Sequence, residues 1–414
     1  MEIVVLAGGQ TTRHFAKLEE HFHGRFIYDE NSDPRSILKH NPDLVICFDE
    51  HYCALGYAVS QVKAAGVATL QVMDGILEWR RTWDYERQGH KVDGVANPIN
   101  QPVISHKIAC LGKRDAAVLE SWGNFGKCEI VGAPRLDHLV TKRMSQAVRH
   151  PRPSTSKARV LVMTAKTAGF TSAQLQTTKR SLVDLKAYFQ SRDDIDVVWR
   201  VTQGISSELG IRNTLTDLAG SELHTLLENV DAVITTPSTS MLESMLARCP
   251  VALLDYHNTP HYFEAAWGIY CQSHIDSVVN ELLEPPPSKL DYQEYLLHEQ
   301  LACFSPATDR LIQLIDGMLA IKRESKGRTL EFPTRILASS ETDITYQLPL
   351  LQLRRYYPQF PVPDEAVLRE MKLVLSAAQG TIKTLYDQVE ILTKRLHAIP
   401  GYLLLKRLGR AFRK

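Results

Sequence analysis

Hydroxyl side chains are concentrated in one short stretch of the sequence, Thr235-Thr-Pro-Ser-Thr-Ser240. The apolar residues 232–235 predict a buried strand before this stretch, and the residues that follow it predict a helix. Ser240 and Glu243 have the spacing of a capping box, which would begin that helix. The first turn of a helix has unpaired N–H groups and partial positive charge, so this unit suits either a phosphate group or an ordinary helix cap. The candidate phosphate ligands are Thr236, Ser238, Thr239 and Ser240.

Charged and imidazole side chains lie near this turn in the sequence. Asp231 directly precedes the strand, where it either begins the strand or acts as a carboxylate nucleophile. Asp255, His257 and His261 follow the next predicted strand. A histidine there either binds or protonates a phosphate, or is hydrogen-bonded within its own loop. Lys166 follows the first strand of the same half, as a phosphate or carboxylate partner or as a solvated loop lysine.

A second group of charged and aromatic residues occurs earlier, in Asp74-Gly-Ile-Leu-Glu-Trp-Arg80. It follows a predicted strand, and loops at the carboxyl ends of parallel strands commonly bind ligands. Asp74 is a candidate general base for an acceptor hydroxyl, with Glu78 and Arg80 as acceptor ligands. The alternative is a solvated loop with local pairing between arginine and glutamate.

Strands and helices alternate through two halves of the chain. In residues 1–150 the predicted strands are 2–7, 44–48, 68–73, 107–110 and 127–131, with helices at 33–40, 51–65 and 113–122. In residues 151–285 they are 159–164, 196–201, 232–235 and 251–255, with helices at 174–190, 221–227 and 241–248. Such alternation predicts parallel sheets covered by helices. We therefore predict an α/β protein of the GT-B class, with two doubly wound Rossmann-like domains that face a cleft.

The remaining residues are predicted to pack on these domains or to extend from them. Helices in 286–330 are expected to pack back on the core, and 331–363 is expected to be a linker. Residues 364–414 form a C-terminal helical appendage, either a coiled coil or a helix packed on its own body. It ends in an amphipathic tail with five basic residues, each worth about 1 kcal/mol near an anionic membrane. This tail either attaches the protein to the cytoplasmic face of the inner membrane or is a solvated basic end.

Composition excludes several classes of protein. A net charge of +1 over 414 residues argues against a nucleic-acid-binding protein. The seven cysteines include no closely spaced pair, which argues against a zinc site or a disulfide framework. There is no acidic cluster for a metal, no signal peptide and no apolar run long enough to cross a membrane. We expect a cytoplasmic protein without cofactor or metal, and the sequence leaves open whether it is a homo-oligomer.

Four motifs together resemble one family. They are Asp74-Gly-Ile-Leu-Glu-Trp-Arg80, Leu119-Glu-Ser-Trp-Gly-Asn-Phe-Gly126, Val131-Gly-Ala-Pro-Arg-Leu-Asp137 and Asp231-Ala-Val-Ile-Thr-Thr-Pro-Ser-Thr-Ser240. Over residues 1–325 the chain resembles the retaining bacterial β-Kdo transferases of O-antigen and lipopolysaccharide assembly, where Kdo is 3-deoxy-D-manno-oct-2-ulosonic acid.

The resemblance implies a CMP-β-Kdo donor, a glycan acceptor and retention of anomeric configuration. It implies double displacement through a glycosyl intermediate on Asp231, with a histidine near the phosphate, for which His261 is preferred to His257. Relatives carry a His-Pro motif in the donor domain, whereas here His150-Pro151 lies in the apparent linker.

Two other classes of function are consistent with the same sequence. One is another GT-B enzyme, such as a nucleotide-sugar epimerase or a glycerophosphate transferase that uses CDP-glycerol. The other is a non-catalytic scaffold that organises polysaccharide assembly through the helix in 364–396.

Overall fold

The computed structural model describes most of residues 2–337 and little beyond them. The described residues are 2–6, 15–23, 25–30, 33–48, 50, 53–84, 91–92, 95–96, 99–145, 157–213, 220–325, 329–337, 389–391 and 394. Met1–Tyr346 is one compact unit and Gln347–Lys414 is a second. The predictions made for His150-Pro151 and for the linker after residue 337 lie outside the described residues. So do those for 364–414, apart from one helical stretch at 389–391 and residue 394.

The first half of the chain folds as a parallel sheet of six strands in the order β2-β1-β3-β4-β7-β8. Its main strands are continuous apolar runs that are buried on both faces, as in a sheet covered by helices on each side. A separate antiparallel ribbon pairs β5 with β6. The strands are β1 (Ile3–Leu6), β2 (Phe26–Tyr28), β3 (Leu44–Cys47), β4 (Ala68–Val72), β5 (Lys91–Val92), β6 (Val95–Ala96), β7 (Lys107–Cys110) and β8 (Cys128–Ile130).

The second half repeats the plan with a parallel sheet of five strands in the order β10-β9-β11-β12-β13. From β9 the chain adds β10 on one side, and it then returns to add β11, β12 and β13 on the other side. This change of direction is the arrangement of a doubly wound domain. The strands are β9 (Ala158–Met163), β10 (Ile195–Arg200), β11 (Ala232–Thr235), β12 (Val251–Leu254) and β13 (Trp267–Ile269). The predicted α/β architecture of two Rossmann-like domains is confirmed.

Twelve α-helices connect and cover these strands within the described part of the chain. They are α1 (Ala16–His21), α2 (Pro34–Lys39), α3 (Cys53–Ala64), α4 (Lys113–Ser121), α5 (Asp137–Ser145), α6 (Ser172–Gln190), α7 (Gln203–Glu208), α8 (Gly220–Leu227), α9 (Ser240–Leu246), α10 (Ile275–Leu283), α11 (Pro287–Gln300) and α12 (Ala307–Ser325). The described helices include none that has both the length and the apolar character needed to cross a membrane.

The last two helices join the two lobes. Helix α11 packs on α4 of the first lobe and on α9 of the second. Helix α12 returns to the first lobe, where Leu311, Leu314 and Met318 join the apolar core beneath β1 and β3. Asp137 accepts hydrogen bonds from the backbone N–H groups of Ala307 (2.6 Å) and Thr308 at the start of α12. One apolar cluster also contains residues of both sheets, so the lobes share a continuous core.

Candidate functional site

The turn after β11 holds its shape through its own hydroxyl groups. We call residues 236–240 the hydroxyl turn. Thr236 is buried, and its Oγ1 accepts a hydrogen bond from the backbone N–H of Ala165 at 2.8 Å. Ser238 Oγ lies 2.9 Å from Ser240 Oγ and accepts the N–H of Ser240 at 3.2 Å. Three of the four predicted phosphate ligands are therefore fixed within the turn or to the end of β9.

The hydroxyl turn nevertheless presents two hydrogen-bond donors. The backbone N–H groups of Ser238 and Thr239 make no hydrogen bond to any other described residue. They belong to the residues just before α9, where the partial positive charge of a helix is concentrated. These donors, rather than the hydroxyls, are the atoms most suited to an anion.

The predicted capping box is wrong. Ser240 is the first residue of α9 rather than its cap, and no side chain caps this helix. Glu243 instead pairs with Arg135 at 2.7 Å and with His224 at 3.3 Å. Burial opposes ionisation of this carboxyl, but His224 and Arg135 together lower the pKa of Glu243 to about 2. Glu243 therefore connects α9 to its surroundings rather than to its own first turn.

The first lobe touches the hydroxyl turn through the loop after β4. The backbone N–H of Ile76 donates to Thr239 Oγ1 at 3.4 Å. Gly75 lies so close that a Cβ there would be 2.9 Å from the same oxygen. Asp74, at the start of this loop, is exposed at the edge of the cleft. The sequence motif at 74–80 and the hydroxyl turn are thus brought together across the two lobes, as a shared site requires.

Glu78 and Arg80 form an ion pair at the same place. The Arg80 guanidinium is 1% exposed and pairs with the Glu78 carboxylate. Burial raises the pKa of Glu78 to about 7; Arg80 partly offsets this effect and the negative charge of Asp255 adds to it. The influence of Asp255, which follows β12, shows that this pair faces the second lobe. A carboxyl with a pKa near 7 is suited to accept and release protons.

On the second lobe, Asp255 and His261 form a hydrogen-bonded dyad. Asp255 is buried and accepts a hydrogen bond from His261 Nε2 at 2.6 Å and from the His257 N–H at 3.0 Å. Burial opposes ionisation of Asp255, but these donors and the charge of Arg80 lower its pKa below the ordinary value. His261 stacks on Tyr270, with ring centroids 5.9 Å apart. Its Nδ1 makes no hydrogen bond with the described residues.

Two other predicted ligands have different surroundings. The Nε2 of His257 lies 3.3 Å from Thr178 Oγ1 on α6, so its ring is engaged by that helix. Lys166 is exposed and follows Ala165, which is hydrogen-bonded to the hydroxyl turn. The backbone therefore places Lys166 at the same edge of the sheet as the turn, within reach of an anion there.

Asp231 lies at the amino end of β11, whereas the hydroxyl turn follows the carboxyl end of the same strand. Its Oδ2 accepts a hydrogen bond from the backbone N–H of Arg159 at 2.7 Å, where β9 begins. The four residues of β11 separate it from the turn, which at the rise of a strand is about 13 Å. Asp231 therefore lies away from the hydroxyl turn, and its role as a nucleophile stays a prediction. Its position matches the other reading of the sequence, a residue that begins a strand.

Aromatic and ionic contacts missed by the sequence also bridge the lobes. Tyr262 contacts Trp79 and Trp122 of the first lobe, with ring centroids 6.1 and 5.3 Å apart. Arg114 on α4 pairs with Glu264 at 2.5 Å. Tyr262 and Glu264 lie just after His261, so these contacts position the histidine loop. In the sequence, the one feature that pointed to these contacts is an aromatic residue, Tyr262, directly after His261.

A pocket on the first lobe adjoins these groups. It is lined by the 74–78 loop, Arg81 and Thr82. Gln71 and Asn100 also line it, and neither was selected from the sequence. A short π-helix, Arg80–Asp84, carries Arg81 and Thr82; such segments are frequent at functional sites. Within the described residues, no group of three or more His, Cys, Asp or Glu is arranged to hold a metal ion.

The fold defines a class of protein: two parallel α/β lobes around a cleft are the GT-B architecture. Comparison with known proteins agrees on the fold. The structure resembles the S. aureus MnaA–UDP complex with a TM-score of 0.52 and 11% identity, over 77% of this chain and 97% of that one. It also resembles a putative UDP-N-acetylglucosamine 2-epimerase from Listeria monocytogenes with a TM-score of 0.52 and 13% identity, over 80% and 98% of the two chains.

A third solved structure, the wall teichoic acid polymerase TagF, matches with a TM-score of 0.47 and 12% identity, over 79% of this chain and 90% of that one. No family model and no curated protein sequence matches the chain. At these identities the similarity to the first two structures establishes the GT-B fold and leaves the reaction to be argued from the site.

Proposed function

We propose that the protein is a glycosyltransferase of cell-surface glycan biosynthesis, which binds a nucleotide-activated sugar in the cleft and transfers the sugar to a glycan acceptor. The observation that carries this proposal is the apposition of three groups across the lobes. The hydroxyl turn and the Asp255–His261 dyad lie on one side, and the loop from Asp74 to Arg80 lies on the other. Nothing in this arrangement requires a metal ion or another cofactor, and we expect transfer to be unchanged by EDTA.

The second lobe supplies the groups for the donor phosphate. The N–H groups of Ser238 and Thr239 are preorganised donors, and Lys166 and His261 follow strands of the same sheet that end beside them. Hydrogen bonds to an anion are roughly twice as strong as those between neutral groups. These groups would stabilise the negative charge that develops on the departing nucleotide phosphate.

The first lobe supplies a base for the acceptor hydroxyl. Asp74 is exposed at the cleft, and Glu78 has a pKa of about 7 with Arg80 beside it. A base acts best when its pKa is near the operating pH, which favours Glu78 over an ordinary exposed aspartate. We therefore propose Glu78 as the proton acceptor and Asp74 as an acceptor ligand.

The proposed donor is CMP-β-Kdo, on the strength of the motif resemblance alone. Retention of anomeric configuration through Asp231 would require the Kdo ring to lie at the amino ends of the strands of the second sheet, away from the hydroxyl turn. We propose instead that the chemistry takes place in the cleft and that Asp231 supports the strand. The test is incubation of the full chain with CMP-Kdo and a panel of neutral glycan acceptors, with product stereochemistry read by NMR.

We expect Kdo transfer that survives Asp231→Asn and is lost in His261→Asn. Loss of transfer in Asp231→Asn with the fold intact would restore Asp231 as the nucleophile. Absence of transfer from CMP-Kdo with every acceptor would overturn the proposed donor.

A second candidate function is that of a nucleotide-sugar epimerase or a CDP-glycerol-dependent glycerophosphate transferase. The similarity of fold to the MnaA–UDP complex and to the putative 2-epimerase supports this second candidate. A thermal-shift panel separates the candidates. Stabilisation by CMP and not by UDP or CDP supports the Kdo transferase, whereas stabilisation by UDP or CDP supports the second candidate.

We propose a cytoplasmic enzyme whose substrates are the nucleotide sugar and the glycan, with no nucleic-acid partner. Residues 364–414 lie almost entirely outside the described residues, so their attachment to the inner membrane is proposed from the sequence. Flotation with anionic vesicles tests it, and removal of 364–414 should abolish flotation without affecting transfer to a soluble acceptor. Loss of function with intact nucleotide binding after this removal would instead favour the scaffold.

A further inference from the structure

The pocket on the first lobe opens beside the contact between the lobes. Ile76 lines it and also donates its backbone N–H to Thr239 of the hydroxyl turn. Glu78, the proposed base, lines the same pocket. A molecule in the pocket therefore lies next to whatever the hydroxyl turn binds.

One side-chain amide in the wall of this pocket, that of Gln71, has a hydrogen bond at its nitrogen but none at its oxygen among the described residues. Gln71 is 1% exposed, and its Nε2 donates to Asn100 Oδ1 at 2.9 Å and contacts Met73 Sδ at 3.5 Å. Its Oε1 is buried and has no hydrogen-bond partner among the described residues. Buried amide oxygens in folded proteins are nearly always paired. The pocket thus offers a hydrogen-bond acceptor that still needs a donor.

The neighbours of Gln71 fix the orientation of its amide group. Gln71 Nε2 donates to Asn100 Oδ1, so the Gln71 oxygen lies on the other side of the amide group. Asn100 has a left-handed backbone (φ 61°), a conformation that asparagine tolerates better than most residues.

The chemistry of the pocket selects a class of ligand. An amide oxygen attracts a hydroxyl or an N–H group and repels the oxygens of a carboxylate or phosphate. The wall carries two carboxyl groups, Asp74 and Glu78, and one cation, Arg81, so its balance of charge favours an anion still less. Phe48 and Ile99 add an apolar surface, and a mixture of apolar surface and a few directed polar atoms is typical of small-molecule sites.

We propose that this pocket binds the terminal neutral sugar of the acceptor glycan, and that one sugar hydroxyl donates a hydrogen bond to Gln71 Oε1. Gln71 is then a specificity-determining residue that recognises one hydroxyl. The assignment of the sugar as an acceptor rests on the proposed function, whereas the preference for a neutral sugar rests on the pocket itself. The carboxylate-bearing donor sugar is excluded from this position.

The experiment measures sugar binding directly by saturation-transfer NMR with the full chain. The probes are the methyl glycosides of glucose, galactose, mannose and N-acetylglucosamine, followed by the monodeoxy analogues of the best binder. The variants are Gln71→Met and, as a matched control on the same lobe, the exposed Gln61→Met. Circular dichroism establishes that each variant is folded.

We expect one monodeoxy analogue to bind wild type about tenfold more weakly than its parent, because it leaves Gln71 Oε1 unpaired. Gln71→Met should bind the parent about tenfold more weakly and should no longer distinguish it from that analogue. Gln61→Met should match wild type. Binding of none of the glycosides, or unchanged discrimination in Gln71→Met, would overturn the proposal.

Two further outcomes remain decisive. If Gln71→Met does not fold, the wild-type series alone must show one dominant hydroxyl, and equal losses for all hydroxyls contradict the proposal. Glycoside binding without transfer from any nucleotide sugar would remove the proposed function and leave this subsite. Transfer from a nucleotide sugar together with unchanged discrimination in Gln71→Met would support the proposed function and overturn this subsite.

Discussion

Two histidines in the loop after β12 differ only in what they contact. His261 donates to buried Asp255 and has an Nδ1 that makes no hydrogen bond with the described residues, whereas His257 is engaged by Thr178 on α6. We predict that His261→Gln lowers the transfer rate by about 10²- to 10⁴-fold, the range for loss of a group that transfers a proton. His257→Gln, the matched control, should lower it by less than about tenfold. Steady-state kinetics with CMP-Kdo compare the two, and equal losses would contradict the assignment.

The pKa of Glu78 predicts how the rate depends on pH. Burial raises this pKa to about 7, and a base must be ionised to accept a proton. The rate should therefore rise with pH until about 7 and then level off. A rate profile between pH 5 and 9 measures this, with Asp74→Asn expected to keep the inflection and Glu78→Gln expected to remove it. An inflection that persists in Glu78→Gln would assign the base to another residue.

Glu243 predicts a different dependence, that of stability on pH. Its pKa is lowered from 4.5 to about 2 in the folded protein, so the folded state binds the proton less readily than the unfolded state. The stabilisation is complete above pH 4.5 and is lost as the pH falls toward 2; it amounts to roughly 3 kcal/mol.

Glu243→Gln should lower the free energy of unfolding by about that amount at pH 7. Urea unfolding at pH 7, 4.5 and 3 tests this, because the difference from wild type should shrink as the pH falls. A difference that does not change with pH would mean that lost packing, rather than charge, explains the effect.

At the residue scale, the sequence predicted the hydroxyl turn and the histidine but not which atoms are available. Thr236, Ser238 and Ser240 were selected for their hydroxyls, yet these bond within the protein and leave backbone N–H groups for the ligand. Asp231 precedes its strand and Asp255 follows the next one, so the parallel pairing of β11 with β12 places them at opposite ends of neighbouring strands.

Among the elements, the junction between α4 and α11 leaves little room for added volume. A Cβ at Gly112 would be 2.6 Å from the carbonyl carbon and 2.7 Å from the oxygen of Gln300, and both are backbone atoms. We predict that Gly112→Ala lowers the free energy of unfolding by about 1–3 kcal/mol, because the two helices must move apart. Gly204→Ala is the matched control, since a Cβ there meets no atom within 4 Å. Urea denaturation measures both, and an equal effect would contradict the packing argument.

The sequence missed two of the four edge strands and the separate ribbon of β5 and β6. Phe26–Tyr28 and Trp267–Ile269 have three residues each, too few to show a periodic pattern, and the second contains a glycine. The central strands were predicted because burial on both faces requires continuous apolar runs. These edge strands form because they pair with a neighbouring strand. The pattern of apolar residues in their own sequence does not predict such pairing.

At the scale of the whole molecule, the alternation of strands and helices was enough to predict two doubly wound lobes. It did not predict how the lobes meet. The contacts of Ile76 with Thr239 and of Tyr262 with Trp79 join residues that are more than 160 positions apart in the chain. Pockets of this kind depend on tertiary packing, which explains why Gln71 and Asn100 were not selected from the sequence.

The central claim is that the cleft binds a nucleotide phosphate between the hydroxyl turn and His261. The most direct measurement is a crystal structure of the full chain soaked with CMP. We predict phosphate oxygens about 3 Å from the backbone nitrogens of Ser238 and Thr239, with His261 in contact. CMP bound elsewhere, or a phosphate that lies at the Asp231 edge of the sheet, would contradict the account.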